Sequence, residues 1–260
     1  MSQLEALIFD VDGTLADTER DGHLLAFNMA FKEAGLDWDW SVELYGQLLA
    51  VTGGKERIRY YIRDFYNQER GENFSMPLEV TNVDEFIAGL HAAKTRFYTQ
   101  LMADGAVPLR PGVVRLFQEV RQAGLRMAIA TTTTPENVTA LLTHTLGADS
   151  VDWFEVIAAG DIVPAKKPAP DIYTYAMEKM NLSADQCLAF EDSHNGLLSS
   201  YGAGLKTVIT VNDYTHDHDF TNAVLVVSDL GEPDQAMTVL AGDCDETYFS
   251  LATARHLHQA

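Results

Sequence analysis

Two aspartates stand one residue apart at the end of an apolar run. LIFDVDGTLADTE, residues 7–19, carries Asp10 and Asp12, with Gly13 and Thr14 directly after. A buried run that ends in paired carboxylates is costly through mutual repulsion. The pairing makes chemical sense where one carboxylate attacks and the other moves a proton. Three further segments carry matching chemistry. ATTTTPENV (130–138) supplies Thr131, Thr132, Thr133 and Thr134; KKPAPDIY (166–173) supplies Lys166 and Lys167; FEDSHNG (190–196) supplies Glu191 and Asp192. Asp10, Asp12, Glu191 and Asp192 on one edge would demand a cation. Oxygen-only donors on a compact site suit Mg2+, which keeps waters and takes substrate phosphates. A carboxylate can attack phosphorus and hold the phosphoryl group covalently. A second carboxyl two residues on can protonate the leaving oxygen and then activate water. Lys167 and the Thr131 hydroxyl would stabilise the oxygens of the phosphoryl group in flight.

These segments meet only if the elements around them deliver them to one edge. Residues 5–10 read as a short buried strand. Helical spacing follows over 18–35, closed by Gly35, and again near 41–50, 54–68 and 84–103, with a polar connection over 69–83. From about 110 the pattern alternates. Helix 111–124 leads to strand 126–131, helix 135–147 to strand 154–159, and helix 170–181 to strand 187–192. A helix from Asn195 precedes strands 206–211 and 223–228. Strand–helix alternation predicts an α/β fold, a doubly wound parallel sheet with helices on both faces. An all-helical insert follows the first strand. The expected division is a core of 1–17 and 101–260 with a helical insert of 18–100. Beyond 230 the pattern is weakest, with one helix expected near 246–257. In such sheets ligands bind outside the carboxyl ends of the strands. Asp10, Thr131, the Lys167 loop and Glu191–Asp192 each follow a strand.

Composition narrows the partners. The 260 residues are 47% hydrophobic, enough for a sizeable core. The formal charge is −20, from 38 acidic and 18 basic residues, which excludes nucleic acid and anionic membrane as expected partners. No stretch is apolar for long enough to span a membrane. The N-terminus has neither the basic region nor the cleavage site of a leader. Cys187 and Cys244 lie far apart, and a reduced, cytoplasmic or stroma-like compartment fits them better than a disulfide framework. The acidic surface offers no evident interface, so a monomer is expected.

DVDGT (10–14), strand-terminal Thr131, Lys167 within KPAPDIY, and FEDSHNG (190–196), in that order, resemble the four motifs of the haloacid dehalogenase-like hydrolase superfamily. The resemblance covers the whole core and implies a Rossmann-like sheet. The insert matches the position of the family's first type of cap. It implies Asp10 as nucleophile and Asp12 as general acid/base. It also implies Mg2+ held by the Asp10 side chain, the Asp12 backbone carbonyl and Asp192, with Glu191 direct or through water. The name-giving dehalogenases lack the second aspartate and the metal, so Asp12 and Asp192 argue for phosphate chemistry. Two branches share the KPAPDIY and EDS wording: small sugar-phosphate phosphatases and β-phosphoglucomutases. ADTERDGH (16–23), TGGKERI (52–58) and ATTTTPENV (130–138) look like CbbY-type proteins. That likeness implies a phosphatase of a sugar bisphosphate, xylulose-1,5-bisphosphate. The mutase's cap histidine corresponds most closely to Gly22, with His23 one residue on, and its loop lysine to Thr134. Both departures weigh against an isomerase.

A bisphosphate needs a clamp at its far end. Gly53 and Gly54 precede Lys55 and Arg57, so backbone N–H groups at a helix start lie beside two cations. Thr132, Thr133 and Thr134 open a second helix at Pro135, and Glu19 is positioned to take sugar hydroxyls. Several residues read as ordinary structure. Lys166 reads as a surface lysine, His194 as loop, HDHDF (216–220) as a solvated loop rather than a metal site, and Trp38 and Trp40 as packing within the insert. Two rivals stand beside the phosphatase. One is a mutase that returns the phosphoryl group to sugar. The other is a module that binds Mg2+ and phosphate without turnover, against which the intact Asp12 argues.

Overall fold

The computed structural model describes residues 3–51, 53–66 and 82–259. Most of the connection expected over 69–83, and Thr52 of the TGGKERI stretch, lie outside the described residues. Two compact units form, Met1–Thr18 with Val107–Ala260, and Glu19–Ala106.

The first unit is a seven-stranded sheet in the order β3-β2-β1-β4-β5-β6-β7. The strands are β1 (Ala6–Phe9), β2 (Arg126–Ala130), β3 (Val156–Ala158), β4 (Cys187–Glu191), β5 (Lys206–Thr210), β6 (Leu225–Val227) and β7 (Val239–Ala241). The first six run parallel and β7 pairs antiparallel with β6, so the sheet is mostly rather than wholly parallel. β1 sits between β2 and β4, with Phe9 level with both Ile129 and Phe190. The chain order reverses there, and a crevice opens beyond the strand ends at such a switch point.

Side chains alternate across β1 and bury both faces. Ala6 and Ile8 pack with Tyr173, Ala176 and Met177. Phe9, on the opposite face, stacks on Phe190 at 4.7 Å and meets Phe117 edge-on at 5.1 Å. Burying each such side chain contributes about 1.5–3 kcal/mol, which fixes where β1 ends and hence where Asp10 begins.

The second unit is helical. A π-helical turn over Thr18–Leu24 leads into α1 (Leu25–Glu33), followed by α2 (Val42–Leu48), α3 (Gly54–Tyr61), a second π turn (Ile62–Tyr66) and α4 (Val83–Ala103). The helix expected over 18–35 is thus split in two. α4 starts at Val83 because the Asn82 side chain accepts from the Glu85 N–H, where connection was expected. Trp38 and Trp40 are buried among Phe27, Phe31 and Tyr61, as packing residues.

The remaining helices of the core are α5 (Val113–Gln122), α6 (Pro135–Leu146), α7 (Asp171–Met180), α8 (His194–Gly202) and α9 (Leu251–Gln259). α9 lies later than the helix expected over 246–257, and β7 has no counterpart in the sequence reading. Its three residues, Val-Leu-Ala, are too few to show a period. His194 is the first residue of α8 rather than loop, because Ser193 accepts from the Gly196 N–H and caps the helix there.

Candidate active site

Asp10 follows β1 directly, its N–H donating to the Phe190 carbonyl at 3.0 Å, so the sheet ladder sets its place. Its carboxylate accepts from Lys167 Nζ at 2.6 Å on one oxygen and from the Thr14 hydroxyl at 3.1 Å on the other. Lys167 also donates to Glu191 Oε1 at 2.5 Å, and the same oxygen accepts from the Tyr173 hydroxyl at 2.6 Å. Asp192 follows β4 and accepts from Asn212 Nδ2 at 2.7 Å. Asp12 is half-buried one residue beyond Asp10 and accepts from the Thr18 hydroxyl at 2.6 Å. Asp10, Asp12, Thr132, Lys167, Glu191 and Asp192 line a single cleft of about 180 Å3 together with Ser193, Asn195 and Gly196.

Charge in this cleft is one-sided. Burial by itself would lower the Lys167 pKa, but the Asp10 and Glu191 charges and hydrogen bonds hold it above the usual lysine range. Burial raises Glu191 to about 7 against the pull of Lys167, with Asp10 adding to the rise. Asp192 is pushed well above the ordinary carboxylate range by burial, then by Asp10 and Glu191, with the Asn212 hydrogen bond opposing. One ammonium therefore does not satisfy three buried carboxylates. Asp10, Glu191 and Asp192 each offer an oxygen within 4.8 Å of the others, and no other trio of acidic, His or Cys side chains does so among the described residues. An all-oxygen, buried, electron-rich trio fits a hard divalent cation. The HDHDF segment has His216, Asp217, His218 and Asp219 exposed.

The threonines divide. Thr131 is fully buried at the end of β2, and its hydroxyl accepts from the Thr133 N–H at 3.3 Å. Thr132 lines the cleft. Thr134 accepts from the Asn137 N–H at 3.4 Å and caps α6, while Thr133 accepts from the Asn137 amide at 3.3 Å. Lys166 pairs with exposed Asp161 at 2.7 Å, as a surface lysine would.

In the helical unit Gly53 precedes α3 with φ +97° and Gly54 begins it. Lys55 is exposed. Arg57 is buried and donates to the Tyr45 hydroxyl at 2.7 Å, which in turn donates to Glu19 at 2.6 Å. Burial opposes ionisation of Glu19, but the Arg57 charge, the Tyr45 hydrogen bond and the Lys94 charge outweigh it and lower its pKa. His23 Nδ1 lies 2.7 Å from Lys94 Nζ, and the ring stacks on Tyr98 with centroids 4.0 Å apart. Burial lowers His23 to about 3, so its imidazole is neutral and accepts from the ammonium.

Sequence reasoning missed Thr14, Thr18, Tyr173, Asn195 and Asn212 as neighbours of the acidic groups. Thr14 and Tyr173 lie inside the motifs already singled out. Asn212 follows the fifth strand, and applying the strand-end rule to that strand as well would have found it.

On a doubly wound sheet of this kind, the likeness to known proteins defines a hydrolase, an enzyme of the phosphatase type. The chain belongs to the haloacid dehalogenase-like hydrolase family, whose model matches residues 4–204. It is 46% identical over 256 residues to the plasmid-borne protein CbbY of Cupriavidus necator, covering 98% of this chain and 97% of that protein. It is 48% identical to the protein CbbY of Rhodobacter capsulatus, covering 88% of this chain and 94% of that one. Among solved structures, a mutant CbbY of Rhodobacter sphaeroides in complex with xylulose-1,5-bisphosphate is 42% identical, with a TM-score of 0.69 over 87% of this chain and 94% of that one.

Proposed function

We propose that the chain is a Mg2+-dependent phosphatase of a small sugar bisphosphate, xylulose-1,5-bisphosphate, working through an aspartyl-phosphate. The observation that carries the reading is the single cleft lined by Asp10, Asp12, Lys167, Glu191 and Asp192. The substrate rests on the likeness to a CbbY solved with that compound.

Asp10 attacks phosphorus; its Oδ–P bond forms as the bond from phosphorus to the sugar oxygen breaks. Asp12, carrying a proton, gives it to the departing oxygen. As a carboxylate it then takes a proton from water, whose oxygen attacks the same phosphorus, and Asp10 leaves with phosphate freed. Lys167, tied to Asp10 and Glu191, faces the transferring oxygens with a fixed charge. Thr131 and Thr132 complete the cradle from the end of β2. Mg2+ held by the Asp10 carboxylate, the Asp12 carbonyl and Asp192, with Glu191 direct or through water, would offset the carboxylate repulsion and polarise the phosphoryl oxygens. Glu19, Gly53, Gly54, Lys55 and Arg57 of the helical unit, with Thr133 and Thr134, act in substrate choice.

Phosphate release by the purified chain tests this, with Mg2+ and with EDTA, on xylulose-1,5-bisphosphate, ribulose-1,5-bisphosphate and β-glucose-1-phosphate in parallel. Mg2+-dependent release from the xylulose compound alone is expected. Release chiefly from another substrate, or isomerisation without release, would overturn the substrate assignment.

A further inference from the structure

The acidic groups of the crevice are also supported from a strand end outside the acidic, threonine and lysine segments. β5 ends at Thr210, and Asn212 stands two residues beyond it, half-buried. Its amide is oriented by its own turn. Oδ1 accepts from the Tyr214 N–H at 2.9 Å, and the Asn212 N–H donates to the Thr215 hydroxyl at 3.1 Å. With the oxygen so engaged, Nδ2 is the end that faces the acidic groups. It donates to Asp192 Oδ2 at 2.7 Å and approaches the Gly13 carbonyl at 3.4 Å. Two N–H bonds thus join the Asp192 carboxylate to the turn that holds Asp12.

That turn is anchored from its other side too. Gly13 O accepts from Arg110, a buried guanidinium that also donates to the Thr210 carbonyl at 3.1 Å and the Ser228 carbonyl at 2.8 Å. Gly13 itself has φ +86°, and a Cβ there would strike both the Asp192 carboxylate and the Asn212 amide. The three residues are packed without slack. Asn212 occupies one oxygen of Asp192 and leaves the other to be offered to a cation.

We infer that Asn212 is a positioning residue for the metal site, fixing the Asp192 carboxylate and the Asp12–Gly13 turn in one geometry through its two N–H groups. The inference rests on the reading that Asp10, Glu191 and Asp192 hold Mg2+. Partners of this kind, which touch the ligand and not the metal, set affinity by holding the ligand's orientation.

The test is Mg2+ binding by calorimetry on the full chain, with Asn212→Ala, Asn212→Ser and Thr215→Val beside the parent. Asn212→Ala removes both amide bonds, and Mg2+ should bind about 10–100-fold more weakly. Phosphate release by that variant should recover toward the parent kcat as Mg2+ is raised to saturation, which loss of a merely structural side chain would not produce. Should Asn212→Ala melt early, Asn212→Ser keeps an acceptor for the Tyr214 N–H while falling short of Asp192, and it carries the same expectation. Thr215→Val removes the hydroxyl that accepts from the Asn212 N–H but leaves the Tyr214 N–H on Oδ1 and both amide N–H groups in place, so it should weaken Mg2+ binding less than either Asn212 variant. Parent-like affinity in both Asn212 variants overturns the inference, as does an equal loss in Thr215→Val. In either case the metal reading stands. A parent chain that takes up no Mg2+ overturns both.

Discussion

At the scale of single residues, the two aspartates of the DVDGT turn have separate supports, and the separation is testable. Asp10 is gripped by Lys167 and Thr14, while Asp12 accepts from the Thr18 hydroxyl. Asp12→Asn keeps the shape and the backbone carbonyl but removes the titratable oxygen. It should cut kcat by about 10²–10⁴ and leave Mg2+ affinity within a few-fold of the parent, since the ligand proposed there is main chain. Near-full kcat in that variant would remove Asp12 from the acid/base role. Glu191 supplies the opposite kind of test, steric rather than chemical. A Cβ on Gly196 would overlap the Glu191 carboxylate, which Lys167 and Tyr173 hold in place. Gly196→Ala should therefore destabilise the fold by about 1–3 kcal/mol and lower turnover as well, read by urea melts beside phosphate release. An alanine variant as stable as the parent would mean that Glu191 has room to move.

At the scale of elements, legibility followed length and position. β1, β2, β4 and β5 were readable because short apolar runs ended in turn residues, and their ends placed Asp10 and Asp192 correctly before any geometry was known. β7 was not, because Val239–Ala241 is three residues long, two of them exposed, and joins the sheet only through pairing with β6. The split at Leu24 in the expected 18–35 helix was also hidden, since a π turn and an α-helix carry similar apolar spacing. Motif residues were legible as types but not as contacts. The type of Thr134 does not announce that its side chain caps α6, and Tyr173, in plain view within KPAPDIY, does not announce itself as the partner of Glu191. The helical unit yields a prediction of its own. His23 is neutral in the folded unit, with its pKa lowered to about 3 first by burial. Unfolding returns it to the ordinary histidine value, so the unfolded chain binds the extra proton. Its contribution is whole above about pH 6.5 and is lost as pH falls from there toward the folded value. His23→Gln keeps an acceptor for Lys94 and removes the titration. Between about pH 7 and 5, the variant should lose about 1 kcal/mol less stability than the parent, after discounting for a half-buried site. Parallel stability–pH curves would show that His23 is protonated in the folded chain.

For the molecule as a whole, charge is the term that ties stability to the proposed chemistry. The chain carries a formal −20, and Asp10, Glu191 and Asp192 converge with Lys167 bonded between the first two. Without a divalent cation the cluster is relieved by protons, which is why burial raises Glu191 to about 7 and Asp192 well above its ordinary value. A carboxyl group with a raised folded pKa favours folding fully below its unfolded value, near 4.5 for Glu191, and that contribution is lost as pH rises through about 7. The metal-free chain should thus lose stability from this cluster between about pH 5 and pH 8. Mg2+ acts on the same groups and in competition with the same protons. Near pH 5 it must displace the proton held by Glu191, whereas near pH 8 it meets carboxylates already ionised and repelling. Mg2+ at about 100 times its dissociation constant stabilises by about 2.7 kcal/mol. The rise in Tm on adding a fixed concentration should therefore be larger at about pH 8 than at about pH 5.5. Differential scanning calorimetry at the two pH values, with and without Mg2+, checks this directly. An equal rise at both would mean that the cation binds without displacing protons from Glu191 or Asp192, and no rise at either would mean that the acidic trio holds no Mg2+.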